Sequence, residues 1–526
     1  MVTEYMKGQT PAQMPASGEC AVDVPGKEGR LKLRYLGIDT YQHHVVFIRR
    51  DCPICQAQGF TVQSRVQVRL GAKQIIATVN AVHSPMLEGG EASLSESAWD
   101  ALDAKPGDEV DLTLAPQPGS LSHLRSKAYG HRLDDAAMRD IVTDIAAGRY
   151  SDLHLASFVT ACAGDRLDAG ETTALTRAMI AVGERIDWHA GKVMDKHCVG
   201  GLPGNRTTPI VVAIVAAHGL IIPKTSSRAI TSPAGTADTM ETLAPVVLDR
   251  ATLRRVVEKE GGSVVWGGAA GLSPADDLLV RVERPLELDS EGQMIASILS
   301  KKAAAGATHV AIDIPVGPTA KMRSAAAAEF LRDRLIEVGH KVGLAVHVLF
   351  TDGIQPVGRG IGPALEAWDV LSVLRGESGA PVDLRARALA LAAMILEMSQ
   401  SVPAGMGMQQ AELLLENGNA WLKFQAICAA QGGMRVPPRA RHTRPITAAR
   451  AGKVVAVNNR LLSRAARLAG APQAPSAGIE YLSPLGRFVE KDEPLFILHA
   501  ESAGVLQYAL DYILGQPDIV TVADET

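Results

Sequence analysis

Apolar residues recur at two different periods along this chain, and the changes of period divide it. Between residues 31 and 114, short runs rich in Val and Ile (LKLRYLGI, HHVVFI, VQVRL, IIATVNAV, EVDLTL) alternate with turn residues, the pattern of a small β domain. APQPGS at 115–120 is a Pro/Gly boundary, and beyond it the period lengthens. Residues 134–147 place Met138, Ile141, Val142 and Ile145 on one helical face and stop at Gly148. Ser151 can cap a second helix carrying Leu153, Leu155, Phe158 and Val159, and 171–182 make a third that stops at Gly183. Further on, SVVWGG, THVAIDIP and AVHVLFTD read as buried strands among helices at 209–217 and 324–338, which predicts a mostly parallel sheet. A short strand is expected at 220–222, followed by a loop over 224–236. QGGMRVPPRARHTRP is a Pro/Arg linker, after which short strands (GKVVAVN, PLFILHA) return.

The predicted fold is therefore multidomain α/β. A polar, disordered tail (1–20) leads into an N-terminal small β domain (21–117) and a helical domain (118–190). A mostly parallel α/β domain with glycine-rich phosphate loops (191–432), a linker (433–445) and a C-terminal small α+β domain (446–526) follow.

Composition narrows the function class. A chain of 526 residues exceeds one core, and with 47% apolar but only 4% aromatic residues its packing falls to Ala, Val and Leu, which suits α/β layers. A formal charge of −4 exerts no global pull toward nucleic acid or a membrane surface, and no apolar run has the length of a membrane span. The N-terminus has no apolar signal core, and six cysteines spread over the chain point to reduced thiols, so a cytoplasmic location is expected. Cys52 and Cys55 form a lone C-x-x-C; zinc would want a second pair, so a turn carrying two thiols is expected and no metal site.

The chemistry concentrates in residues 195–241. Asp195, Lys196 and His197 run into a glycine turn at Gly200, Gly201 and Gly204, and a second loop, 224–236, is dense in Ser and Thr. Glycines let backbone N–H groups approach closely, and Lys196, Lys224, Arg228, Ser226, Ser227, Thr231, Ser232 and Thr236 add charge and short donors, so the loops suit an anion such as phosphate or a phosphorylated sugar. A Walker loop is excluded, because three residues rather than four separate Gly200 from Gly204 and Asn205-Arg206 follows; the spacing also fails G-x-G-x-x-G. Cys198 could be a thiolate held by Lys196 or a small packing residue. Farther along, Ser297 and Lys301 stand four apart on a helix beginning near Ser290, so both could reach one ligand or simply lie on its surface. TDGIQPVGRGIG at 351–362 is a third glycine loop, read as a turn beside the cleft.

DKHCVGG, PKTSSR, SPAGTAD and SILSKK together resemble the signatures of the thymidine and pyrimidine nucleoside phosphorylases. The match is closer to a branch holding archaeal AMP phosphorylases and bacterial proteins labelled thymidine phosphorylase of type 2, in which it extends to the N-terminal region. The resemblance implies a pentosyltransferase whose helical domain closes over the α/β domain. It implies phosphate held by Lys196, Ser226 and Thr236, and nucleoside or nucleotide contacts from Gly201, Ser227, Arg228, Ala229, Ile230, Thr231, Ser232, Thr236, Ser297, Lys301 and Lys321. Lys196, His197 and Asp289 become the catalytic candidates. Asp289 stands where the AMP enzymes place a general acid, although a capping aspartate is the structural alternative. No metal or organic cofactor is implied; inorganic phosphate is the co-substrate, and the protein should form a homodimer or a higher homo-oligomer.

Two departures bear on substrate. The thymidine enzymes carry serine where this chain has Cys198, and they grip the pyrimidine with an arginine at a position read here as Val282. Thymidine plus phosphate giving thymine and 2-deoxy-α-D-ribose 1-phosphate is the expected reaction. The alternative is a nucleoside 5′-monophosphate yielding ribose 1,5-bisphosphate, with Arg228 meeting the 5′-phosphate. A binding protein that has lost turnover is the alternative of another class.

Overall fold

A computed structural model describes residues 30–524 apart from 42, 53–58, 60, 62, 230, 231, 271, 287 and 289. The polar tail at 1–20 and Cys55 lie outside the described residues. The chain forms two compact units, Met1–Gln117 and Pro118–Thr526.

The first unit is a closed six-stranded barrel. Its strands run in the order Arg30–Leu33, Glu91–Leu94, Val45–Arg49, Lys73–Val82, Arg65–Leu70, Glu109–Leu114, and the last pairs back onto the first. Alternation turns Leu31, Leu33, Val66, Val68, Val110 and Leu112 inward, so the period-2 pattern in the sequence is the barrel interior. The strand Glu91–Leu94 and the helix Glu96–Leu102 that follows were not expected; EASL is too short and polar to announce itself.

In the second unit, a helical bundle comes first: Leu121–Ala128, Asp135–Ala146, Asp152–Ala161 and Ala169–Val182. Asp134, Ser151 and Asp168 cap the last three by accepting from backbone N–H groups three residues on. Met138, Ile141, Val142, Phe158 and Leu175 fill the bundle core, and Ala275, Leu279, Val282 and Ala296 enter it from much later in the chain. The bundle is thus discontinuous in sequence, completed by the helix Pro274–Leu286 and by the start of Glu291–Ala304.

The sheet is parallel throughout. Ala345–Asp352, His309–Val316 and Met194–Cys198 pair in that order, and Ile222–Ser226 pairs with Gly262–Trp266. A Met194 N–H bond to the Ile221 carbonyl, 2.8 Å, joins the two groups. The helix Thr208–Ala217 is buried along its whole length, packed against Val382–Met398 and Asn419–Ala430, which explains why its sequence is apolar on every face. The expected strand at 220–222 begins later, at Ile222, and runs on through Lys224 and Ser226, because those polar residues pair in register with Gly262–Trp266 inside the sheet.

The C-terminal part holds a sheet of Gly360–Ile361, Gly478–Tyr481, Pro494–Ala500 and His442–Thr447, and a smaller one centred on Gly452–Val457. Its first strand comes from the third glycine loop, and His442–Thr447 begins inside the stretch read as a linker. Asp369 accepts the N–H groups of Arg359 and Gly360, each at 2.7 Å, so this loop is a suture between sheet systems. Among the described residues, no helix is long and apolar enough to cross a membrane.

Candidate active site

Alternation along Met194–Cys198 sends Asp195 and His197 to one side and Lys196 and Cys198 to the other. Asp195, 1% exposed, accepts from Lys302 Nζ at 2.9 Å and stands 3.6 Å from Lys224 Nζ. Lys224 therefore belongs to a buried charge cluster behind the loops; it is not the loop cation expected of it. Lys196 differs. It is also 1% exposed, yet its ammonium donates only to Thr207 Oγ1, 2.8 Å away, and among the described residues no carboxylate reaches ion-pair distance. Burial lowers the pKa of Lys196 and, more strongly, that of Lys224. Burial and the surrounding lysines Lys302, Lys224, Lys301 and Lys196 push His197 well below the ordinary imidazole range, so its ring is neutral at pH 7. Positive charge is in excess here, and a bound anion would relieve it.

Cys198 is held as a thiol. Burial and Asp313 push its thiol up to about 12, and Asn205 Nδ2 lies 3.4 Å from its sulfur while donating to Asp313 Oδ2 at 3.1 Å. The packing role fits, and the thiolate does not.

The glycine turn needs its glycines for contact. A Cβ on Gly201, φ +83°, would sit 2.4 Å from the Lys321 backbone nitrogen, so this glycine lets Lys321 approach the turn. A Cβ on Gly235 would sit 2.5 Å from Ala229 N, so the second loop folds flat on itself. Asp238 closes that fold by accepting from Ala229 N at 2.7 Å and Gly235 N at 2.9 Å. Arg206, not among the expected site residues, donates to Thr236 Oγ1 at 2.6 Å, to the Ala234 carbonyl and to buried Glu366 at 2.7 Å. The Thr236 hydroxyl is thereby used as an acceptor, leaving its hydrogen to point elsewhere. Ser226 Oγ, at the end of its strand, is buried and, among the described residues, has no hydrogen-bond partner. Ser227 is exposed, and exposed Ser232 donates to the Ala234 carbonyl at 3.0 Å. Ile230 and Thr231 lie outside the described residues. Arg228 is engaged: it makes a two-point contact with Glu241, 2.6 and 3.1 Å, reaches Asp238 at 3.1 Å, and stacks 5.1 Å over the Trp266 ring.

On the other side stand two helices. Ser297 and Lys301 on Glu291–Ala304 do share a face, with Lys301 Nζ 3.1 Å from Ser297 Oγ. The ammonium also meets Asp276 Oδ2 at 2.5 Å, reaching across to Pro274–Leu286. Burial disfavours charge on Lys301, but Asp276, with Asp277 and Glu283 behind it, outweighs that and raises its pKa. Burial and Asp276 lift Asp277 to about 6 and Glu283 to about 7. Ser290 caps the helix by accepting from Gln293 N; Asp289 lies outside the described residues. Val282 faces the bundle core and Arg281 pairs with Asp152 at 2.9 Å, so neither faces the Ser297–Lys301 pair. Among the described residues, no group of three or more His, Cys, Asp or Glu side chains is placed to hold a metal.

Glycine turns, buried lysines and hydroxyls thus gather at the ends of the parallel strands, in a unit that also holds the helical bundle. Residues 121–183 match the helical bundle domain of a glycosyl transferase family, and residues 190–421 match its a/b domain; the chain belongs to this family. It is similar to "Putative thymidine phosphorylase 2" of Acidovorax sp. (strain JS42), 60% identical over 94% of this chain and 96% of that protein. A protein named "Putative thymidine phosphorylase" from Legionella pneumophila (strain Paris) is 54% identical over 98% of this chain and 99% of its own. The fold is shared with anthranilate phosphoribosyltransferase from Thermus thermophilus, at a TM-score of 0.50 and 18% identity, covering 59% of this chain and 98% of that one.

Proposed function

We propose that this glycosyl transferase cleaves the N-glycosidic bond of a nucleoside with inorganic phosphate, releasing the free base and a pentose 1-phosphate. The observation that carries this reading is Lys196: a buried ammonium with a hydroxyl for a partner and no carboxylate in reach among the described residues. A phosphate there gains the uncompensated charge of Lys196 and donors from Ser226 and Thr236. Thymidine, giving thymine and 2-deoxy-α-D-ribose 1-phosphate, is the substrate suggested by the names of its relatives.

In this reaction a phosphate oxygen forms the bond to C1′ as the C1′–N bond breaks, and the electron pair leaves with the base. Phosphate fixed against the sugar supplies orientation, and donors aimed at the departing base supply charge stabilisation. Ser297, Lys301 and Lys321 take the base side, and Asp289, by family resemblance, supplies the proton. Neutral His197 donates an N–H instead of acting as a cation. The chemistry requires no metal or organic cofactor.

A 5′-monophosphate substrate would need Arg228 freed from Glu241 and Asp238, so the engaged geometry supports a nucleoside. The test is base release from thymidine and from AMP and CMP, with and without phosphate, the sugar product identified by phosphorus NMR. Phosphate-dependent release with a pentose 1-phosphate product is expected. Release only from the monophosphates, with a bisphosphate product, would overturn the nucleoside reading, and no release at all would leave a binding protein.

A further inference from the structure

The three glycine-rich loops converge on one buried ion pair. Glu366, 1% exposed, stands in the first turn of the helix Pro363–Leu374. One of its carboxylate oxygens accepts from Arg206 Nε of the first loop at 2.7 Å. The same oxygen accepts from Thr239 Oγ1, 2.9 Å away, on the short helix Thr236–Glu241 that closes the second loop. The other oxygen accepts from Gly362 N, 3.3 Å away, where the third loop ends. The first and third loops also touch directly: Asn205 N donates to the Val357 carbonyl at 2.9 Å, and a Cβ on Gly204, φ +69°, would collide with that same oxygen. From this junction Arg206 reaches the second loop, donating to Thr236 Oγ1 at 2.6 Å and to the Ala234 carbonyl at 3.0 Å. A planar guanidinium holds three acceptors at fixed angles through its rigid fork; an ammonium on a flexible stem does not.

We infer that Arg206 is a positioning residue for the phosphate: paired with Glu366, it joins the first two loops into one site and commits the Thr236 hydroxyl to donate to the anion. This rests on the phosphorolysis reading above and adds a residue that acts through another. Arg206 has donors only, so Thr236 Oγ1 accepts from it, and a threonine hydroxyl has a single hydrogen to give. Among the described residues nothing takes that hydrogen. The first loop places the cation nearby: Lys196 Nζ donates to Thr207 Oγ1 at 2.8 Å, and Thr207 is the next residue along from Arg206. Arg206 also stands near enough for its charge to lower the pKa of Lys196, so the buried ammonium and the Thr236 hydroxyl flank one guanidinium. The charge of Arg206 itself is answered by Glu366. Arg206 therefore orients a donor, and the pull on the anion is left to Lys196.

The test is a double-mutant cycle read in inorganic phosphate: calorimetric binding, and KM for phosphate and for thymidine, in the wild type, Arg206→Lys, Thr236→Val, Thr236→Ser and the Arg206→Lys/Thr236→Val pair. Thr236→Val and Arg206→Lys should each weaken phosphate binding by about tenfold, the usual cost of one hydrogen bond to a charged group, with KM for thymidine little changed. The pair should bind phosphate no more weakly than the weaker single variant, because both changes remove the same donor. Thr236→Ser, which keeps the hydroxyl, should bind as the wild type does. Losses that multiply in the pair, or unchanged phosphate binding in Arg206→Lys, overturn the inference. Thr236→Val and Thr236→Ser decide the matter even if Arg206→Lys does not fold, since equal phosphate binding by those two also overturns it. The two claims separate in the wild type. Base release that needs no phosphate, with no phosphate bound, removes the phosphorolysis reading and this inference with it. Phosphate-dependent release with multiplying losses removes only the role of Arg206.

Discussion

The two halves of the site handle charge in opposite ways. At the strand ends, among the described residues, Lys196 is buried with no carboxylate at ion-pair distance, and Lys224 and Lys302 share the carboxylate of Asp195. On the helix Glu291–Ala304, Lys301 is clamped by Asp276 and Ser297, and burial with Asp276 raises Asp277 to about 6 and Glu283 to about 7. One half pairs its cations with few carboxylates; the other surrounds its lysine with them. Phosphorolysis needs both, because an anion attacks one face of a sugar while a neutral base departs from the other.

The sharpest way to break this contrast is at Lys196. Lys196→Met should cut kcat/KM for phosphorolysis by about 10²–10³-fold, the usual cost of losing one preorganised charge, while leaving thermal stability equal or higher, since a buried ammonium has been removed. Kinetics and a melting curve on the same preparation check both. Lys301→Met should behave differently: it strands Asp276, 2% exposed, and should cost about 2 kcal/mol of stability as well as activity. Equal melting behaviour of the two variants would erase the distinction between the halves.

A smaller effect follows from pH. Asp277 and Glu283 have native pKa values raised to about 6 and about 7 from 3.8 and 4.5, so the native state binds more protons than the unfolded chain. Their contribution is fully present below pH 4 and is lost as pH rises through 6 and 7, and the midpoint of unfolding should fall between about pH 5 and 8. Glu283→Gln should flatten part of that slope. The least effect is expected at Cys198: with its thiol at about 12, Cys198→Ser should change kcat/KM only a few-fold, and the thiol should resist alkylation at pH 8.

The sequence showed the anion half far better than the base half. Glycine turns and hydroxyl runs are local: Gly200–Gly204 and Ser226–Thr236 declare close backbone approach within a dozen residues. Lys224 was misplaced because a strand that pairs polar residues inside a parallel sheet lacks the apolar run by which strands are recognised. The base half depends on how two helices face each other. Asp276 and Lys301 are far apart in sequence, and their contact follows from Leu279 and Val282 entering the bundle core, which no local pattern reveals. On a helix, one residue of register is a rotation of about 100°, enough to put Val282 in the bundle core and turn Glu283 away from it. The same ambiguity touched the start of the next helix, where Asp289 and Ser290 can both cap and Ser290 does.

The central claim, that the uncompensated charge at Lys196 is a phosphate site, is tested most directly by titrating inorganic phosphate into the wild type and Lys196→Met in a calorimeter. One phosphate bound per chain in the wild type, and none detectable in the variant, is the expected result. Equal binding by both, or by neither, would contradict it.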